Sequence, residues 1–184
     1  MSESVDLSKY DNSWYHPGRN VIVRTCWMIM NALFVQCHWN PSSRIRIFIL
    51  RLFGAKIGKN VVVKPGGNIK YPWNLSVGDY TWIGENAWID NLTHISIGNH
   101  VCISQGAYLL TGNHDFNKTT FDLMVKPITI EDGAWIGAKA IVCPGVICGS
   151  HAVLTAGSVA TKNLVAHTIH SGHPAAAVKE RLIR

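Results

Sequence analysis

One histidine stands apart from the other eight in this 184-residue chain. His114 lies between Asn113 and Asp115 in the stretch TGNHDFNKTTFDLMVKP, which runs between Leu110 and Ile128 and lacks the regular spacing found on both sides of it. An imidazole titrates near neutrality, so a histidine on an irregular loop suits proton removal from a hydroxyl or a water. Asp115, next in the chain, is a candidate for orienting the ring. The remaining histidines raise the question of zinc, which takes three or four converging ligands. His94, His100 and His151 occupy corner positions where polar residues are expected anyway, and two residues six apart fall on successive faces rather than in one stack. His167, His170 and His173 form HTIHSGH at the close of the repeat. The expectation is therefore no metal. Five cysteines at 26, 37, 102, 143 and 148 form no C-x-x-C pair and leave an odd count, which argues against a disulfide framework and for a reducing compartment.

Around His114 the chain repeats with a period of six. Ile57-Gly58, Val77-Gly78, Ile83-Gly84, Ile97-Gly98, Ile136-Gly137 and Cys148-Gly149 place an apolar residue before glycine, and Ile103, Ile130, Val142 and Leu154 hold the same frame. Four residues after each comes a small or β-branched residue, from Val61, Thr81 and Ala87 to Ala140, Val146, Ala152 and Ser158. The small residue and the apolar residue of the next hexad lie two apart in extended chain, so both point inward. The glycine after the apolar residue is read as the one that lets the backbone turn. Each hexad is then a short strand and a corner, and three make an 18-residue coil of a parallel β-helix, whose apolar rows are buried only by stacking. Trp82, Trp88 and Trp135 each precede an inward Ile and must point outward from a flat face. Three such side chains need cover from a subunit interface, a ligand groove or the N-terminal helices folding back over them.

The repeat defines three regions: an N-terminal flank over 1–56, the β-helix over 57–164, and a tail over 165–184. Residues 21–37 are apolar but interrupted by Arg24, Asn31 and Gln36, and fall short of the roughly 20 residues that span a bilayer. An interfacial or core-capping helix fits them better. Residues 41–53 read as a short helix with Arg44, Arg46 and Arg51 beside an apolar face, and the tail SGHPAAAVKERLIR reads as a short helix packed on the last coil. The first twenty residues carry Glu3, Asp6 and Asp11 and no apolar core, unlike a cleaved signal peptide, so the expected location is cytoplasmic.

Composition agrees with one globular domain. The chain is 47% hydrophobic and 15% charged, which excludes intrinsic disorder, and its 16 Gly and 7 Pro disfavour a helical bundle. The net charge of +6 is unevenly distributed. Residues 57–164 carry seven basic and seven acidic residues, while the N-terminal flank holds seven and three and the tail three and one. A neutral repeat whose aromatics are not interleaved with Lys or Arg excludes nucleic acid as the partner. The basic, apolar N-terminal flank invites peripheral contact with the anionic inner face of a membrane.

The hexads, the loop TGNHDF, the coil AWIGAKAIVCPGVICG, the closing AGSVATKN and the tail GHPAA together resemble the hexapeptide-repeat acyltransferases, in their galactoside/maltose O-acetyltransferase branch. LRLFGAKIGKNVVVKP and IKYPWNLSVGDY are similar to the colanic acid biosynthesis acetyltransferases, which act in exopolysaccharide assembly. The resemblance spans about residues 44–181. It implies an all-β, left-handed parallel β-helix, a homotrimer with active sites between subunits, and direct acetyl transfer from acetyl-CoA to a hydroxyl of a glycan or sugar acceptor through a ternary complex. On this resemblance His114 is the catalytic base. Trp135, Ala138, Ala156, Thr161, Lys162 and Lys179 bind the cofactor, with Lys179 where the galactoside enzymes have Arg. Gly84 replaces an acceptor-binding Asn of that branch, so Asn86, Asp90 and Asn91, with Asn113 and Asp115 on the loop, become the acceptor-binding candidates. Tyr71, Trp73, Tyr80 and Tyr108 suit either sugar stacking or packing between coils. The rival functions are a non-catalytic scaffold and a zinc enzyme of the gamma-type carbonic anhydrase class, which shares the fold.

Overall fold

The computed structural model describes residues 4–184; Glu3, one of the three acidic residues of the N-terminal flank, lies outside them. Three parallel sheets form the faces of a prism. The first face stacks Lys56–Ile57, Leu75–Val77, Ile95–Ile97, Ile128–Ile130 and Ile147–Cys148. The second stacks Val62–Val63, Trp82–Ile83, Cys102–Ile103, Trp135–Ile136 and Val153–Leu154, and the third Asn68–Ile69, Trp88–Asp90, Tyr108–Leu110, Ile141–Val142 and Val159–Ala160. The inward rows are those the hexads mark. Ile83, Ile89, Ile103, Leu109, Ile136 and Leu154 are at most 1% exposed, and Ala87, Ala107, Ala134, Ala140 and Ala152 fill the corners between them.

Two details depart from the simple repeat. The 18-residue coil holds only late in the chain, where Trp135 pairs with Val153 and Ile141 with Val159. Earlier coils take 20 residues, since Val62 pairs with Trp82 and Trp82 with Cys102. The extra residues sit at the edge joining the third face to the first, in the Pro72–Asn74 turn and around Leu92. The second departure concerns glycine. The left-handed residue of each corner comes two positions after that glycine, at Asn60, Tyr80, Asn86, His100, Lys139 and His151. The glycines themselves solve a different problem: a Cβ on Gly84 would lie 2.6 Å from the Gln105 nitrogen, and one on Gly137 2.5 Å from the Ala156 nitrogen. They are needed so that one coil can approach the next, not so that the chain can turn.

The N-terminal flank caps the open end of the prism. Helix α1 (Val21–Met30) starts at Asn20, whose side chain accepts the Val23 N–H, and runs into a π-helical stretch over Asn31–Val35. Its Trp27 enters the core, packs at a tilt against Phe53 with ring centroids 5.2 Å apart, and donates from the indole to the Ile69 carbonyl. Helix α2 (Ser43–Leu52) buries Ile49 and Leu50 against the first coil, together with Arg46, which the sequence had beside an apolar face. Its guanidinium turns inward to the Asn40 and Cys37 carbonyls. Neither helix covers the outward tryptophans. Trp82, Trp88 and Trp135 stay 59%, 44% and 46% exposed, and they divide between faces: Trp82 and Trp135 on the second, Trp88 on the third, stacked on Tyr108 at 4.6 Å.

The tail is not helical. Thr168–Gly172 adds a further parallel strand beside Val153–Leu154, and Ala175–Glu180 returns antiparallel to it. The helix propensity of Ala-Ala-Ala-Val-Lys-Glu loses to the unpaired edge of the second face, which offers a ladder of backbone hydrogen bonds.

Candidate active site

His114 is held on an antiparallel hairpin, Gly112–His114 against Leu123–Val125, that projects from the edge joining the third and first faces. The hairpin is pinned below by the Lys126 N–H on the Thr111 carbonyl and above by the Asp115 N–H on the Asp122 carbonyl. The imidazole stacks nearly parallel on the Phe121 ring with centroids 4.4 Å apart, and its Nδ1 lies 2.9 Å from the Phe121 carbonyl oxygen. A carbonyl can only accept, so Nδ1 carries a hydrogen, and in the neutral tautomer the lone pair is on Nε2. Phe121 presents that carbonyl from a left-handed conformation with φ of 50°, unusual for an aromatic residue. Asp115 does not orient the ring: its carboxylate accepts the Asn117 N–H. Asn113 caps the His114 N–H with its side chain.

His114 opens into a cleft of about 620 Å³ between the hairpin, the N-terminal segment and the lengthened corners. Tyr10, Asn12, Ser13, Tyr15, Pro17 and Arg24 form one wall, and Lys70, Tyr71, Leu92 and Leu123 the other. The Tyr10 ring lies 5.7 Å from the imidazole. Tyr15 donates to the Leu92 carbonyl, and burial pushes its phenol well above the usual range. The Asp6 N–H on the Thr119 carbonyl and the Trp73 indole on the Pro17 carbonyl fasten this segment along the edge. No hexad or motif of the sequence pointed to this wall. Its signal is the dense YDNSWY run, whose Tyr, Asn, Ser and Trp suit a polyhydroxylated ligand and which lies outside the hexad frame.

The sequence-nominated acceptor residues separate. Asp90 lies at the same edge, paired with Lys70 at 2.9 Å and accepting from the Tyr108 hydroxyl, whose pKa burial and the adjacent carboxylate push up to about 12. Asn91 clamps the Tyr71 backbone, accepting at 2.9 Å and donating at 2.6 Å, and its full burial leaves no surface open to an acceptor. Asn86 is exposed on the edge joining the second and third faces. Among the four aromatics, Tyr71 lines the cleft, stacked on Trp73 at 5.0 Å, while Tyr80 stacks on His100 away from it.

The nominated cofactor residues also divide. Trp135 lies on the second face, and Ala138 and Ala156 follow on the Asn86 edge, one coil apart, with the Gly157 N–H on the Ala138 carbonyl. Lys179 lies on the return strand beyond the second face, opposite Ile169. Thr161 and Lys162 occupy the His114 edge, where Thr161, Asn113, Met124, Lys126, Cys143 and Pro144 line a groove of about 230 Å³. The two edges bound the third face and are separated by at least the length of its strands, on the order of 10 Å for the three residues of Trp88–Asp90. Within one chain they do not meet. Among the described residues no cluster of three or more His, Cys, Asp or Glu could hold a metal ion, and no helix is long and apolar enough to cross a membrane.

A prism of stacked hexads with a histidine hairpin breaking one edge defines a hexapeptide-repeat acetyltransferase, and the chain belongs to that family. Residues 127–162 match the hexapeptide repeat of succinyl-transferase. The chain is 41% identical over 180 residues to the putative colanic acid biosynthesis acetyltransferase WcaF of Escherichia coli (strain K12), covering 96% of this chain and 97% of that one. Among solved structures it resembles a hexapeptide-repeat containing acetyltransferase from Vibrio cholerae, with a TM-score of 0.78 and 25% identity over 86% of this chain and 90% of that one. It also resembles galactoside acetyltransferase in complex with coenzyme A, with a TM-score of 0.76 and 25% identity over 86% and 80%. The fold is thus the parallel β-helix expected from the hexads, with the left-handed sense that the family resemblance implied.

Proposed function

We propose that the protein transfers acetyl from acetyl-CoA to a hydroxyl of a sugar within an exopolysaccharide precursor, with His114 as general base. The observation that carries this reading is the contact between Nδ1 of His114 and the Phe121 carbonyl, which makes Nε2 the accepting nitrogen of the neutral ring, on a residue that lines a polar, aromatic-walled cleft. Nε2 takes the hydroxyl proton as the sugar oxygen attacks the thioester carbonyl. The carbon–sulfur bond breaks as the tetrahedral adduct collapses, and the proton held on the imidazolium passes to the departing thiolate. No acyl-enzyme is needed, since the acceptor oxygen is itself the nucleophile.

The division of nominated residues between two edges supports a homotrimer whose sites lie between copies. The His114 edge of one copy, with Thr161 and Lys162, would face the Ala138–Ala156 edge of the next. Small side chains at Ala138 and Ala156 leave the backbone open to an extended pantetheine arm, Trp135 flanks it, and Lys162 and Lys179 supply charge for the phosphates. Asn86 would approach the acceptor from the neighbouring copy, and Asp90 and Asn113 from the copy that carries His114.

The test is thiol release from acetyl-CoA with a panel of glycans, comparing wild type with His114→Ala. The rate should fall by at least about 10²-fold, the lower range of a general base. Turnover unchanged by that substitution would remove His114 from the mechanism.

A further inference from the structure

Helix α1 is built inside out. A capping helix ordinarily buries its apolar stripe and shows water a charged one. Here the inward side carries Asn31, and just beyond it Gln36, both donating to the Asn68 side chain, alongside Trp27 and Val35. The outward side holds Val21, Ile22, Met28, Ile29 and Leu33, between 49% and 70% exposed, with no charged residue among them. Isolated exposed apolar residues are ordinary, but a continuous uncharged face over three helical turns is a contact surface.

The surrounding charge says what it contacts. From Asn12 to Gly78 the sequence contains nine Lys and Arg and not one Asp or Glu, whereas the rest of the chain has eight basic residues against eleven acidic. Arg19, Arg44, Arg51, Lys56, Lys59 and Lys64 are exposed on the cap and first coil. On α2, Phe48 and Leu52 are exposed alongside Arg44 and Arg51, the mixture in which long cationic side chains reach headgroups while apolar ones sink below them. A second copy docking end to end would bring two such cationic ends together at a Coulombic cost, while an anionic bilayer meets both the charge and the apolar face.

We infer that the helical cap is a membrane-docking surface, with the outer side of α1 lying in the interface of an anionic bilayer. The same helix places Arg24 in the wall of the His114 cleft. On the reading of that cleft as the acceptor site, docking brings it beside the bilayer, where an acceptor carried on a lipid would be presented.

The experiment uses the full chain in its native assembly and vesicles of phosphatidylcholine alone or mixed with phosphatidylglycerol. The protein should float with the anionic vesicles, not with the neutral ones, and added salt should weaken binding. The double variant Ile22→Glu/Ile29→Glu should lose about tenfold or more of the partitioning. Its mass by light scattering and its thiol release with a soluble glycan should be unchanged, so docking is scored separately from catalysis. The inference is overturned if wild type ignores anionic vesicles, if binding survives the double substitution, or if that substitution changes the assembly's mass, since the face would then be covered by another copy.

Discussion

The role proposed for His114 rests on one hydrogen bond and on the backbone that aims its acceptor. Phe121 must hold φ near 50° for its carbonyl to meet Nδ1, and its ring supplies the stacking surface. Two substitutions separate these roles. Phe121→Gly accepts the same φ, keeps the carbonyl and loses only the ring, so kcat should stay within about tenfold of wild type. Phe121→Pro fixes φ near −65° and deletes the N–H that donates to the Lys118 carbonyl, so the acceptor swings away. Here kcat should fall by about 10²-fold with the KM for acetyl-CoA little changed, because the tautomer is lost while the cofactor walls are untouched. Equal activity in both variants would mean that the Phe121 carbonyl does not position the base. Nothing in the sequence identified this partner. Asp115 drew the assignment because a carboxylate beside a histidine is a familiar pairing, yet Phe121 reaches His114 only through the hairpin register.

At the scale of elements, side chains at the edge between the first and second faces tie one coil to the next. Asp79 accepts the Lys59 N–H, Asn99 the Asp79 N–H, and Asp132 both the backbone and side-chain N–H groups of Asn99. The Asn99 backbone N–H, then its side chain, holds the Asp132 carboxyl below its ordinary pKa. A carboxylate depressed in the folded state stabilises fully above its unfolded pKa of about 3.9 and loses that contribution as pH falls through the folded value. Asp132→Asn keeps an acceptor for the Asn99 N–H but removes the titration. Its melting temperature should therefore decline less steeply than wild type's as pH drops below about 4. Parallel curves would show that this link contributes nothing to acid sensitivity. The hexads made the inward rows and the prism legible, because each position repeats the same environment many times. The corner chemistry was less legible: glycine's role came out as clearance, which depends on the neighbouring coil. The tail and the N-terminal wall were not legible at all, since each is defined by an edge formed from residues far away in the chain.

For the whole molecule, the question is why the two sets of nominated residues stand on different edges of a rigid prism. A solenoid cannot fold one edge onto another, so a site needing both must be completed by a second copy. The exposed Trp82, Trp88 and Trp135 border these same surfaces and would gain cover in the proposed assembly. Subunit mixing tests this without a structure of the assembly. His114→Ala removes the base from one edge, and Ala156→Trp fills the expected pantetheine path on the other; each homogeneous assembly should be inactive. Co-assembled in equal amounts, an interface works when its base comes from the Ala156→Trp chain and its other wall from the His114→Ala chain. Random mixing satisfies each condition half the time, so about a quarter of wild-type activity should return. Were the complete site contained in one chain, both variants would be dead in every combination, and the mixture would show no rescue.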